Sequence, residues 1–468
     1  MPESITITED LSSILSQKFA FENCVLPLKI ENNKLHLAVP NKLNIKLIND
    51  VSFETGLEIK AIEYPTESIL SKLKILYPNQ NGNGKEIVTE TLDSEHSNVE
   101  YVNQAISNAI SLKASDIHFE ALEKLYRIRY RIDGQLREIS SLPNNRSLPI
   151  TSRLKIMANL DISEKRRPQD GRIKFNFKGN LIDIRVSSIP TSFGEKIVLR
   201  ILDKSQLNLD LKTLGLSDHQ YNILTNTIVA PYGMVLVTGP TGSGKTTTLY
   251  AALKHIHTAE KNIITIEDPI EYNIDGINQC NVKHDIGFDF ANALRSFLRQ
   301  DPNVIMVGEI RDKETAEIAI RASLTGHLVF STLHTNDSLS AITRLIDMGV
   351  EPFLVSASVK LIVAQRLVRK LCICKEIKKS DANDFENITV PSISGCDKCN
   401  YIGYKGRTAL YEMLEINDDL RELITEKAPA KKVKESAIKN GLITLRQSGM
   451  EKIKNGITSY EEVLRETT

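Results

Sequence analysis

The chain has 468 residues, too many for one ordinary domain, so two to four domains are expected. Hydrophobic residues make up 41% and charged residues 25%, which excludes a membrane-embedded or disordered chain. Lysine plus arginine and aspartate plus glutamate both total 59, and a formal net charge of zero argues against a protein that lives on nucleic acid.

The opening, Met1-Pro2-Glu3-Ser4-Ile5, has no basic stretch followed by an apolar one, so no secretory signal is read there. The most apolar runs, such as Met234 to Val237 and Val304 to Val307, fall far short of the roughly eighteen residues a spanning helix needs. The expectation is a cytoplasmic protein that docks on the membrane only through a partner. Residues 1–78 read as a small N-terminal α/β domain. Leu35 to Val39 alternates like a strand, and Ile69, Leu70, Leu73 and Leu76 recur at helical spacing within Pro65 to Tyr77. Residues 79–98 begin Asn79-Gln80-Asn81-Gly82-Asn83-Gly84-Lys85 and read as a linker.

Residues 99–205 read as an α+β sheet domain. A helix over Val99 to Leu112 precedes strands at Ile117 to Glu120, Tyr126 to Ile132, Ile173 to Phe177 and Ile182 to Val186. Arg127, Arg129 and Arg131 alternate along one strand and share a face, either a solvated sheet surface or a functional one. Residues 206–468 read as an α/β domain. Ser217 or Asp218 caps a helix through Ile228. Short apolar strands then alternate with helical stretches: Met234 to Thr238, Ile263 to Ile266, Val304 to Val307 and Leu328 to Thr332. That rhythm predicts a mostly parallel sheet covered by helices.

Gly239-Pro240-Thr241-Gly242-Ser243-Gly244-Lys245-Thr246 matches the phosphate-loop pattern between a strand and a helix that begins at Thr246 and Thr247. Its glycines let backbone N–H groups close on phosphate, Lys245 brings a positive charge, and the Thr246 hydroxyl suits Mg²⁺. ATP and Mg²⁺ are the expected ligands. Val304-Ile305-Met306-Val307-Gly308-Glu309 puts a carboxylate where a strand leaves the sheet, the edge at which ligands bind. Glu309 is expected to orient the attacking water or a Mg²⁺-bound one. Glu267, in Ile266-Glu267-Asp268-Pro269-Ile270-Glu271, is a second candidate. His327 and His334 flank a strand and are read as sensors of the γ-phosphate.

In this order, the phosphate loop, Ile264 to Glu271, Leu298-Arg299-Gln300-Asp301-Pro302 with Gly308-Glu309-Ile310-Arg311-Asp312, and Thr325-Gly326-His327 with Thr332 to Asn336 resemble the Walker A, aspartate, Walker B and histidine boxes of the type II secretion and type IV pilus assembly ATPases. Ala114 to Glu120, Arg131-Ile132-Asp133-Gly134 and Arg167 to Arg172 look like the sheet domain that precedes the motor in that family. The resemblance implies a RecA-like motor, a homohexameric ring and ATP held between motor and sheet domains. It places arginines there, at Arg185 and Arg200 of the sheet domain and Arg295 and Arg299 of the motor. It also implies an N-terminal domain that docks on inner-membrane platform proteins. Nucleic acid is not an expected partner.

Cys396-Asp397-Lys398-Cys399 is a zinc-type knuckle, but its partner is Cys372-Ile373-Cys374 instead of a second C-x-x-C. Assembly ATPases of this family carry a four-cysteine zinc site at this place, which implies Zn²⁺ and an excursion over about residues 370–411 folded around it. The function implied is an ATPase powering polymerisation of pilin-like subunits for type II secretion, with type IV pilus assembly as the close alternative and a DNA-transfer or nucleic-acid motor as the more distant one.

Overall fold

The computed structural model of the chain describes residues 95–202, 209–379 and 389–467, with a small sheet and scattered flanking positions between residues 11 and 73. The chain divides into two compact units, Met1–Ile87 and Val88–Thr468. In the first, β1 (Leu26–Glu31) pairs antiparallel with β2 (Lys34–Val39), and β3 (Glu58–Glu63) adds parallel to β2. The alternation read at Leu35 to Val39 is β2. The helix expected over Pro65 to Tyr77 lies largely outside the described residues, although Ile69 and Leu73 are buried against Leu26 and Leu28. Most of the 79–98 segment also lies outside them.

The second unit opens with the helix Glu95–Ser111, four residues earlier than its expected start. Six strands follow: β4 (Asp116–Ala121), β5 (Leu125–Ile132), β6 (Gln135–Pro143), β7 (Gln169–Phe177), β8 (Asn180–Thr191) and β9 (Gly194–Leu202). They form an antiparallel sheet in the order β6-β5-β4-β9-β8-β7. Alternation gives the sheet one apolar face, where Ile117, Phe119, Ile128 and Tyr130 pack with Ile106, Ile150 and Leu154 of two covering helices.

The other face carries the three alternating arginines, and it is more than a solvated surface. Glu120 is 5% exposed and accepts from Arg127 Nε at 3.1 Å and from Arg129 Nε and Nη2 at 2.8 Å each. Lys196 Nζ stands 3.1 Å from the same carboxylate. Burial raises the Glu120 pKa, but Arg129 and Lys196 outweigh it and hold the group at about 2.

The motor sheet contains β10 (Gly233–Thr238), β11 (Ile263–Glu267), β12 (Asn278–Asn281), β13 (Val304–Val307), β14 (Leu328–Leu333) and β15 (Val359–Leu371). A cysteine-bearing excursion, with the hairpin β16 (Glu376–Lys379) and β17 (Thr389–Ser392), leads to β18 (Tyr404–Glu415). The order is β12-β11-β13-β14-β10-β15-β18, parallel except for the last pair. The central strands are buried end to end, as strands covered by helices on both faces must be. The excursion is shorter than expected, because β15 runs to Leu371 and β18 begins at Tyr404 with Ala409 to Leu414 in the core.

A candidate nucleotide site between two sheets

The phosphate loop links β10 to the helix Lys245–Ile256. Gly239, Gly242 and Gly244 have φ of 145°, 81° and 90°, which side chains resist. A Cβ at Gly239 would lie 2.4 Å from the Gln365 carbonyl oxygen, so β15 leaves no room for one. Gly244 is the N-cap and offers no side-chain cap, so the first helical N–H groups keep their donors for a ligand. Lys245 is nearly buried, and its Nζ donates to the carbonyls of Gly239 at 2.8 Å and Pro240 at 3.1 Å. Burial pulls its pKa below the usual lysine range, and the Glu309 carboxylate works the other way. The Ser243 hydroxyl is buried and has no hydrogen-bond partner. An orphan donor, free helical N–H groups and a lysine resting on carbonyls together suit a polyphosphate with its Mg²⁺.

β13 ends at Val307, and Gly308 follows against β11, where an added Cβ would be 3.2 Å from the Ile266 carbonyl oxygen. That close approach crowds any side chain at this position. The next turn is pinned by Thr332 Oγ1 donating to the Gly308 carbonyl at 2.7 Å and by Ile310 N–H donating to the Thr332 carbonyl at 3.0 Å. Glu309 is thus fixed at the loop. It accepts from Arg311 Nη2 at 2.6 Å and stands 3.4 Å from His334 Nε2. Burial, then the nearby Lys245, lower the His334 pKa, so the ring is neutral at neutral pH.

A cavity of about 960 Å³ is lined by Pro240 to Thr247, Glu267, Glu309 and His334 on the motor side and by Asp116, Arg131, Gln135 and Arg200 of the other sheet. Glu267 reaches it with both oxygens already engaged, by Tyr250, Thr265 Oγ1 at 2.6 Å and Gln279 Nε2 at 3.0 Å. Arg200 Nε donates to Asp116 Oδ1 at 3.1 Å. Arg185 stands beside the cavity, not in its wall. Its Nη2 donates to the Ile270 carbonyl at 2.9 Å, and Nη1 is 3.3 Å from Glu271.

Three expected residues are not brought here in this chain. His327 sits at the opposite end of β14 from His334, and its Nδ1 is 3.0 Å from the Ala322 carbonyl oxygen. A six-residue strand separates the two rings by roughly 20 Å, so they do not read one phosphate together. Arg295 and Arg299 lie on the outer face of the helix Phe290–Phe297 and just beyond it. Arg295 pairs with Glu314, and Arg299 donates to the Arg295 carbonyl at 2.9 Å. The inner face of that helix is the buried one, with Ala293, Leu294 and Phe297, which forces both arginines outward. Conversely, Arg131, Gln135, Arg366, Arg369 and Arg407 line the cavity without having been singled out as site residues. Arg131 had a signal in its alternation with Arg127 and Arg129, whereas Arg366 and Arg369 follow no pattern along β15.

The four clustered cysteines do meet. The sulfurs of Cys372 and Cys396, of Cys374 and Cys399, and of Cys396 and Cys399 are each 3.8 Å apart, and all four lie within 4.8 Å of one another. Zinc–thiolate bonds of about 2.3 Å in a tetrahedron have edges of about 3.8 Å. A turn closed by Lys375 N–H to the Cys372 carbonyl, 3.0 Å, lets the shorter C-x-C pair present both thiols. Backbone N–H groups of Cys396 and Gly403 reach Cys399 Sγ at 3.3 and 3.2 Å, the outer support a thiolate ligand needs.

Residues 91–465 match the family described as Type II/IV secretion system protein, and residues 2–81 match the MshEN domain. The chain belongs to the type II/IV secretion system protein family. It is similar to a type IV pilus assembly ATPase, PilB, of Myxococcus xanthus, with 44% identity over 98% of this chain and 87% of the relative. It is also similar to a type II secretion system ATPase E of Vibrio cholerae, with 49% identity over 79% of this chain and 75% of the relative. The structure of the pilus retraction motor PilT with bound ADP superimposes with a TM-score of 0.54 at 30% identity, covering 78% of this chain and 96% of that one. The phosphate loop of this family member is therefore the loop of an ATPase, and the α/β motor with its preceding sheet is the expected architecture. No helix among the described residues is long and apolar enough to cross a membrane.

Proposed function

We propose that ATP hydrolysis by this chain powers the assembly of pilin-like subunits into a filament, in a type II secretion or type IV pilus machine. One observation supports it above the rest: the nucleotide cavity is walled by two domains, with Lys245 and Glu309 on one side and Arg200 and Arg131 on the other. Charge that builds on a transferred phosphoryl group attracts both walls, so cleavage and release change the pull between them. In this reading backbone N–H groups of Gly242 to Thr246 hold the phosphates. Lys245 exchanges its loop carbonyls for phosphate oxygens, and Thr246 meets Mg²⁺. Glu309 orients the attacking water and takes its proton, while His334 and Arg311 hold that carboxylate in place. Arg185 transmits movement through the Ile270–Glu271 loop. Identity to the pilus assembly relative extends over 98% of this chain, and that to the secretion relative over 79%, which favours a pilus-type machine. In cells, replacing the protein by its Glu309→Gln variant should abolish filaments while pilin levels stay normal. Normal filament assembly in those cells overturns the proposal.

The family relationship supports a homohexamer bound peripherally at the cytoplasmic face of the inner membrane through platform proteins. The sulfur geometry supports one structural zinc held by Cys372, Cys374, Cys396 and Cys399. Metal analysis should find about one zinc per chain, and removal by a chelator should make the 372–403 segment sensitive to protease. A metal-free protein with the same protease resistance removes the zinc assignment.

A further inference from the structure

The sheet domain grips the motor on both sides of the cavity, and the two grips differ. On one side Arg185 holds a loop. On the other, the turn between β5 and β6 is caught at two points. Gln135 Oε1 accepts from Arg369 Nη1 at 2.9 Å, and Asp133 Oδ2 accepts from the Gly406 N–H at 2.9 Å. Arg131 Nη1 donates to the Gly134 carbonyl at 2.9 Å and shapes the tip of the same turn. Arg131, Gly134 and Gln135 all face the nucleotide cavity.

Arg369 is 9% exposed, lines the same cavity, and is held by the motor through Nη2, its backbone and its ring-facing side, while Nε has no hydrogen-bond partner. Nη2 donates to Glu462 Oε1 at 2.6 Å, and its own backbone N–H reaches Glu462 Oε2 at 3.1 Å. The guanidinium lies 4.0 Å from the centre of the Tyr404 ring. Thr458 Oγ1 donates to the Arg369 carbonyl at 2.8 Å. Burial raises the Glu462 pKa, and Arg369 and Arg465 bring it below the usual range, so the anchor stays charged. A donor fixed this firmly loses little freedom when a partner arrives. The planar fork lets one side chain serve two elements and stack on a third, which a lysine cannot do.

We infer that Arg369 is a positioning residue: through Gln135 it latches the β5–β6 turn over the nucleotide cavity and so sets how tightly nucleotide is retained, leaving the cleavage step to Glu309. The inference rests on the nucleotide reading of the cavity. Arg369 links the motor strand that leads to the cysteine cluster with the sheet domain, while Gly406, just past that cluster, supplies the second catch. Retention of nucleotide is thereby tied to the docking of one domain on the other.

The test uses the full chain and measures kcat and KM for Mg-ATP together with the Kd for a fluorescent ADP. Gln135→Ala leaves the Arg369–Glu462 pair intact, so folding is preserved. It should raise KM and the ADP Kd about tenfold, the worth of one hydrogen bond to a charged donor, with kcat changed by less than about twofold. Arg369→Lys gives up the bond to Gln135 together with the fork on Glu462 and the stacking on Tyr404, so it should raise both at least as much, and adding Gln135→Ala to it should cost nothing further. A fall in kcat at constant KM, or additive losses in the double variant, overturns the latch. If the unsubstituted chain binds no nucleotide, the reading of the cavity itself fails, and that outcome is distinct from the others.

Discussion

Lys245→Ala stops ATP turnover and weakens nucleotide binding by roughly a hundredfold, the loss expected when a buried charge-assisted contact to phosphate is removed. Lys245 is the cation that the loop itself positions, at the first turn of a helix whose N-terminus already favours anions. Its Nζ rests on the carbonyls of Gly239 and Pro240, partners it can leave when phosphate oxygens replace them. Burial lowers its pKa, so a bound polyphosphate gains from holding it charged. No neighbouring cation sits on the same helix turn to substitute for it. Isothermal titration with ATP and a phosphate-release assay check the result, and circular dichroism confirms that the variant is folded. Lys245→Arg should fail as well, because a planar guanidinium does not fit where a compact ammonium is enclosed by the loop.

Glu309→Gln should separate binding from chemistry. The amide keeps the shape of the carboxyl group and one acceptor oxygen, enough for Arg311, but cannot accept a proton from water. A fall in kcat of about 10²–10⁴ is expected, with nucleotide binding retained. Glu309 is placed for this work by backbone contacts on both sides and by Arg311 and His334. Glu267 gives the contrast. Its oxygens are occupied by Tyr250, Thr265 and Gln279, which tie β11, β12 and the Lys245–Ile256 helix together. Glu267→Gln is therefore expected to act through stability and site shape, with a smaller loss of kcat than Glu309→Gln. Rapid-quench measurement of single-turnover cleavage distinguishes the two.

The motor was legible in the sequence because its signals are local. Buried parallel strands are short apolar runs, and the loop between β10 and its helix requires glycines at fixed offsets. The capping box of Ser217 and Gln220 is equally local. What was not legible depends on pairing across the chain. Arg185 and Arg200 are direct cross-strand partners of β8 and β9, as one site would require, yet Arg200 lines the cavity while Arg185 reaches across to the Ile270–Glu271 loop, 85 residues away in sequence. His327 and His334 look equivalent by spacing, yet six residues of extended strand put them at opposite edges of the sheet. Arg369 has no pattern around it at all, since its partners Gln135 and Glu462 are 234 and 93 residues away. The shortened Cys372-x-Cys374 pair departs from the usual spacing, and only the turn at Lys375 reveals that four sulfurs still meet.

The central claim is that one cavity, completed by a second domain, binds Mg-ATP and cleaves it with Glu309. Phosphate release by the intact chain and by Glu309→Gln, measured with ATP binding in the same samples, tests it most directly. The account predicts steady turnover in the unsubstituted chain, and ATP bound but almost uncleaved in the variant. Equal turnover in the two, or no ATP bound by either, contradicts it.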